Sequence, residues 1–229
     1  MNARLTSSRC VVAAFLLLST TALAQQSADF DAPVHAFKLP RQLPECGLEA
    51  VLLTLAKDTG VRIGFERTTA CNGRQAVGFP DAYKPLKLAN AEVLDGLPLR
   101  DVLARIAALT PDYDWAIMDG VAVFRPSESW KDAKSPLRAS VPPIHLSEVP
   151  ASRVISTILN LPGGGKGPTA IVSIDFQGGT MLDALNALVR SQALMWYASP
   201  GDEKLYVSVM EPRGRGFTVV RPLPQLSAR

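Results

Sequence analysis

A helix-and-hairpin pattern that occurs twice, at one constant spacing, limits how this chain can fold more than any other feature. The first copy is Gly96 to Phe124, GLPLRDVLARIAALTPDYDWAIMDGVAVF, which reads as a bend, an amphipathic helix, a turn and two short strands. A degraded copy follows at Gly179 to Val209, GTMLDALNALVRSQALMWYASPGDEKLYVSV. The pairs Leu99/Met181, Asp101/Asp183, Leu103/Leu185 and Ile106/Leu188 are all separated by 82 residues. A fixed offset along the apolar stripe of a helix is the mark of a repeated supersecondary unit.

The flanking segments complete the two units. In the first, Val34 to Leu39 alternates as a strand does, and Leu48 to Thr59 buries Leu48, Val51, Leu52 and Leu55 at helical spacing. Gly60 stops that helix, and Val61 to Phe65 predicts a half-buried strand. Glu66 to Pro85 is turn-rich and irregular, and Leu86 to Leu94 returns to strand. Pro98 opens the repeat helix, whose stripe is Leu99, Val102, Leu103, Ile106 and Leu109. Asp119-Gly120 is a two-residue hairpin signal joining Tyr113–Met118 to Val121–Phe124.

Residues 126–143, rich in proline, serine and charge, read as a linker. The second unit starts at Ile144-His145-Leu146. It continues with a helix from Ala151 to Leu161 burying Val154, Ile155, Ile158 and Leu159, then a strand from Ala170 to Phe176. Thr180 caps a helix from Met181 to Ser191, with Asp183 three residues on as in a capping box. Met195–Ala198 and Lys204–Val209 close it as a hairpin. The first strands, at His35 and His145, are 110 residues apart, so unit one holds 28 more residues between its first strand and its last helix. The pattern predicts an α+β fold of two tandem βαββαββ-like units, residues 34–125 and 144–210, each with two helices on its own small sheet. Units so small leave much surface exposed, so modest stability and contact between the units are expected.

The N-terminus reads as a signal peptide. Arg4 and Arg9 precede the apolar run Val11 to Leu18, and Ala22-Leu23-Ala24 is a small-residue cleavage pattern, so residues 1–24 are expected to be removed and 25–33 to form a leader. The apolar run is too short to span a bilayer, which needs roughly 20 residues. Cleavage after Ala24 removes two of the 24 basic residues and none of the 21 acidic ones, leaving a net charge of +1. No basic face is implied, and nucleic acid is not an expected partner. Of the 229 residues, 47% are hydrophobic and 20% charged, a globular composition that excludes disorder.

Chemistry-bearing candidates are few. Cys46 and Cys71 are the two cysteines left after cleavage, and an even count in an exported chain predicts one disulfide between them. That bridge would close 25 residues of chain, worth about 3.5 kcal/mol by loop entropy. His35 and His145 are too far apart in sequence to suggest a metal site. Gly163-Gly164-Gly165-Lys166-Gly167 lacks the Ser or Thr after the lysine that a phosphate loop requires, and reads as a flexible turn. Asp112, Asp114 and Asp119 read as solvated turn aspartates, and Trp115 and Trp196 as core aromatics at matching places in the two units. No catalytic, cofactor or metal residue is assigned.

Three stretches resemble the secretin and TonB N-terminal short domain, STN: FDAPVHAF, LEAVLLTLAKDTGVRIGFE and LDGLPLRDVLARIAALTPDYDWAIMDGVAVF. Residues 144–210 look like a second, more divergent copy, with DFQGGTMLDALNALV as its best-matching part. The extra loop bearing Cys71 and the glycine-rich insert depart from the family pattern. The resemblance implies a non-catalytic periplasmic protein-interaction module. Its partners would be secretion or TonB-type machinery, or an anti-sigma regulator. About 19 residues follow residue 210, too few for a pore or barrel, so a stand-alone pair of modules is expected. A periplasmic small-ligand or cell-wall-polymer binding protein, using a groove between the units, is the alternative. The tail segment Gly216 to Val220, which follows Arg213 and Arg215, is either a strand offered to a partner or the last strand of unit two.

Overall fold

A computed structural model describes residues 29–39, 47–68, 92–161, 170–192, 195–200, 204–210 and 216–222. The signal sequence, both Cys46 and Cys71, and the Gly163–Gly167 run lie outside the described residues. The fold is α+β, as the pattern predicts.

Unit one holds strands β1 (Lys38–Leu39), β2 (Ile63–Glu66), β3 (Glu92–Val93), β4 (Tyr113–Met118) and β5 (Val121–Pro126), with helices α1 (Leu48–Thr59) and α2 (Leu99–Ala108). The first strand is shorter than Val34–Leu39 because Ala36 turns to φ 61°; Pro33 instead bridges Pro98 ahead of it. Gly60, at φ 73°, ends α1 in the left-handed conformation and donates its N–H to Ala56 O at 2.9 Å. Asp119 (φ 51°) and Gly120 (φ 77°) make the type I′ turn that the Asp-Gly pair predicts.

Residues 126–143 are folded rather than loose. They contain α3 (Ser127–Lys131), a 3₁₀ turn at Pro136–Arg138 and β6 (Ser140–Val141), and Leu137 is buried in the unit-two core. Unit two continues with β7 (Ile144–Pro150), α4 (Ala151–Ile158), β8 (Ile171–Phe176), β9 (Gly179–Thr180), α5 (Met181–Gln192), β10 (Met195–Pro200) and β11 (Lys204–Met210). The α4 helix stops before Leu161 because Asn160 turns to φ 52°. The tail supplies β12 (Gly216–Pro222), an antiparallel neighbour of β11 and therefore the last strand of the fold.

The expectation of a separate sheet for each unit is corrected by the pairing. One six-stranded sheet runs β12-β11-β10-β2-β5-β4, and its two halves meet where β2 lies parallel to β10, Gly64 opposite Trp196. The helices of unit one pack on one face with Ile63, Phe65, Ala122, Phe124, Met195 and Tyr197. The helices of unit two pack on the other with Val121, Val123, Trp196, Ala198, Val207 and Val209. Odd and even residues of β5 thus enter different cores, because successive side chains of a strand point to opposite faces. That is why Val121–Phe124 is an uninterrupted apolar run: a strand covered on both faces has no polar alternation. Each unit buries the outer face of its neighbour's hairpin, which two separate small sheets would leave in water.

The repeat offset also identifies the short pairings. Pro33–Pro98 corresponds to β6–β9, since Thr180 is 82 residues past Pro98, and β1–β3 corresponds to β7–β8. On this alignment β8 matches β3. Nothing in the described part of unit two matches β2, and β12 occupies the equivalent place beside β11.

Candidate functional site

The strands β2, β5 and β10 are mutually parallel, and near their C-terminal ends lie Glu49, Glu66, Arg67 and Arg125, four of the five buried charged residues of the described structure; the fifth, Arg62, precedes β2. Arg125 Nε bonds the Glu66 carboxylate directly, and Arg125 Nη2 donates to Ser135 Oγ at 2.9 Å. Arg67 Nη2 donates to Glu49 Oε2 at 2.6 Å. The two guanidiniums also lie over aromatic rings, Arg67 5.0 Å from the Tyr197 centroid and Arg125 5.1 Å from that of Trp130. Burial pushes the Glu49 carboxyl up, against the pull of Arg67. Burial also pushes up the Tyr113 hydroxyl, which accepts a hydrogen bond from the Thr68 N–H, and the Tyr197 hydroxyl, where the Glu49 charge adds to the effect.

Two carboxylates and two guanidiniums balance one another here. Each carboxylate is held in an ion pair with a guanidinium. The cluster's work is to hold the ends of β2 and β5 together and to tie the segment after β5 to the sheet through Ser135. Sequence reading missed it because Glu49, Glu66, Arg67 and Arg125 are far apart along the chain. The one available signal was Glu66-Arg67 directly following an apolar strand.

Where the two units meet, Trp196 of β10 packs tightly on Gly64 of β2. The Trp196 ring lies over Gly64 so closely that a Cβ there would stand 2.3 Å from it. Its indole N–H donates to Asn186 Oδ1 at 2.8 Å, and both residues are fully buried. Trp196 is thus a core residue, as read, while Trp115 is half-buried and stacks on Phe124 at 5.9 Å.

The accessible features lie at the edges. β4 is one outer strand of the large sheet, with Ile117 42% exposed. The type I′ turn sets the ladder phase, so Asp114, Ala116 and Met118 bond toward β5 while Trp115 and Ile117 direct their N–H and C=O outward. Among the described residues no backbone bond from outside the ladder reaches Trp115 or Ile117. Asp112, Asp114 and Asp119 are exposed along the same strand and its turn, the last 4.0 Å from Arg190 Nη1. β12 is the opposite outer strand.

His35 and His145 are both exposed, and each pairs with a carboxylate of its own unit. His35 Nδ1 lies 3.3 Å from Asp95 and His145 Nδ1 lies 2.6 Å from Asp175. The Ala36 N–H and then His35 hold the Asp95 carboxyl below its ordinary value. Among the described residues no three side chains of metal-binding type come together. Comparison with protein-family models, curated proteins and solved structures returned no match.

Proposed function

We propose that this chain is a non-catalytic periplasmic protein-interaction module of the STN kind, serving envelope transport, secretion or signalling. One observation carries the reading: the two units share a long sheet whose β4 edge has outward N–H and C=O groups and an exposed Ile117. Such an edge accepts an extended segment of a partner by strand addition. Two helices pack against one sheet face in each unit, the arrangement the repeat pattern predicts, and this is compatible with the reading. The buried ion pairs are consistent with it, since Glu49 and Glu66 are each held by a guanidinium. The β2–β10 ladder, with Trp196 packed on Gly64 between the units, supports the interaction reading over a ligand groove there.

Capture from detergent-solubilised envelope, with the mature protein as bait, tests the proposal. Enrichment of a component of secretion or TonB-type machinery, or of an anti-sigma regulator, is expected. Enrichment of no envelope protein over an unrelated exported bait, or retention of cell-wall polymer instead, would overturn it.

A further inference from the structure

Of the five buried charged side chains in the described structure, four pair with one another and Arg62 does not. Arg62 is 7% exposed, and among the described residues no acceptor bonds its guanidinium. Burying a charge without a counter-charge is costly, so such a group calls for an ionic partner.

Strand alternation fixes which way Arg62 faces. Ile63 and Phe65 enter the unit-one core, whereas Gly64 lies under the Trp196 ring on the unit-two side. Arg62 stands two residues before Gly64 and its carbonyl accepts the Ala122 N–H at 2.9 Å, so it extends the ladder and shares the face of Gly64. The helix α5 covers that face. Its Asn186 meets Trp196 over Gly64, and Arg190, one turn later, reaches the Asp119 turn ahead of β5. That is the end of the parallel strands at which Arg62 stands.

The neighbouring charge is therefore another guanidinium. Burial, and then the positive charge of Arg190, hold the Arg62 guanidinium below its ordinary value. Asp119 offsets Arg190 only loosely, at 4.0 Å and from an exposed position. Deeper along the same helix face, Asn186 Nδ2 is enclosed and bonds nothing. It is the one enclosed side-chain nitrogen or oxygen without a partner among the described residues, so the unpartnered Arg62 nitrogens keep contact with solvent. An ion from solution can reach them.

We propose that Arg62 and Arg190 form a binding site for a phosphate-type oxyanion, at the end of the β2–α5 contact beside the Asp119 turn. A guanidinium presents a planar fork of N–H donors that matches two oxygens of such an ion. A dianion balances both positive charges, which a single carboxylate does not. Its tetrahedral oxygens also serve two forks that arrive from different elements, one from a strand and one from a helix. The inference goes beyond the interaction reading and does not depend on the β4 edge.

Titration of the mature protein with inorganic phosphate, at ionic strength held constant with chloride, is the test. Calorimetry should show one saturable site, and the melting midpoint should rise by about 3–6 °C at ten times the dissociation constant. Acetate at the same ionic strength should raise it less. Arg62→Met keeps the buried stem and removes the charge, so the variant should fold and its midpoint should no longer respond to phosphate. Should it prove misfolded by circular dichroism, Arg190→Gln carries the same test from a partly exposed position, with phosphate affinity falling about tenfold or more. Lys204→Gln, at an exposed position of β11, should leave the response intact. Wild type with no saturable response, a response that persists in the arginine variants, or one that acetate matches would overturn the proposal. So would a response lost equally in Lys204→Gln, which is the outcome of general attraction to anions. Envelope capture reads the functional proposal separately, and neither result decides the other.

Discussion

Unit one and unit two place three strands beside each other in the same order, but they obtain the third strand differently. In unit one it is β2, which follows α1 directly, runs parallel to β5 and is buried on both faces. In unit two it is β12, which arrives from the C-terminal side and runs antiparallel to β11. The 28-residue surplus of unit one is the trace of this difference, since it includes a strand that the described part of unit two lacks. The comparison teaches that a place in a sheet is defined by backbone hydrogen bonds and by the two cores that cover it. Any segment with enough apolar residues and free N–H and C=O groups can fill it, from either direction.

The two solutions should differ in how firmly they are held. The largest effect is expected at the pinning of β2. Replacing Arg125 by Met leaves the Glu66 carboxylate buried and unpaired, and breaking a buried pair this way costs about 3–5 kcal/mol. A denaturant midpoint that barely moves would show that the ion pair does not hold unit one's strand.

The seam between the units comes next. Gly64→Ala puts a methyl into the Trp196 ring, and overpacking of this kind costs about 1–3 kcal/mol. Combining it with Trp196→Leu should recover part of the loss, because the two positions share one contact. Strictly additive losses would mean that the seam is not organised by that contact.

A helix start separates the units on a smaller scale. Thr180 and Asp183 form a reciprocal cap on α5: Asp183 N–H donates to Thr180 Oγ1 at 3.2 Å, and Thr180 N–H donates to Asp183 Oδ2 at 2.9 Å. At the matching place α2 has Pro98 and no side-chain cap. Thr180→Ala should therefore lower stability by about 1 kcal/mol, read by thermal or chemical denaturation.

The smallest effect is a pH dependence at the ends of the central strands. Tyr113 and Tyr197 have hydroxyls raised by burial, so the folded state holds their protons longer than the unfolded chain does. Stability is unaffected by them below their unfolded value, near 10, and falls as pH rises through it. Ultraviolet titration should show these two ionising late and together with unfolding. Ionisation of all tyrosines in one early step would contradict their burial.

Much of unit one and unit two was legible along the chain. The stripes of α1, α2, α4 and α5 repeat every three to four residues, the Asp119-Gly120 turn has a backbone demand that few other residues meet, and the offset of 82 aligns the copies. These are local properties, and local geometry fixes which residues share a helix face. The shared sheet left one sequence trace, the unbroken apolar runs at Val121–Phe124 and Met195–Ala198, which signal strands covered on both sides. Tertiary structure alone decided that β2 meets β10, that β12 stands where unit one has β2, and that Glu66 meets Arg125 across 59 residues of chain. Strand pairing joins distant segments through backbone groups that every residue carries, so the sequence marks a strand without marking its neighbour.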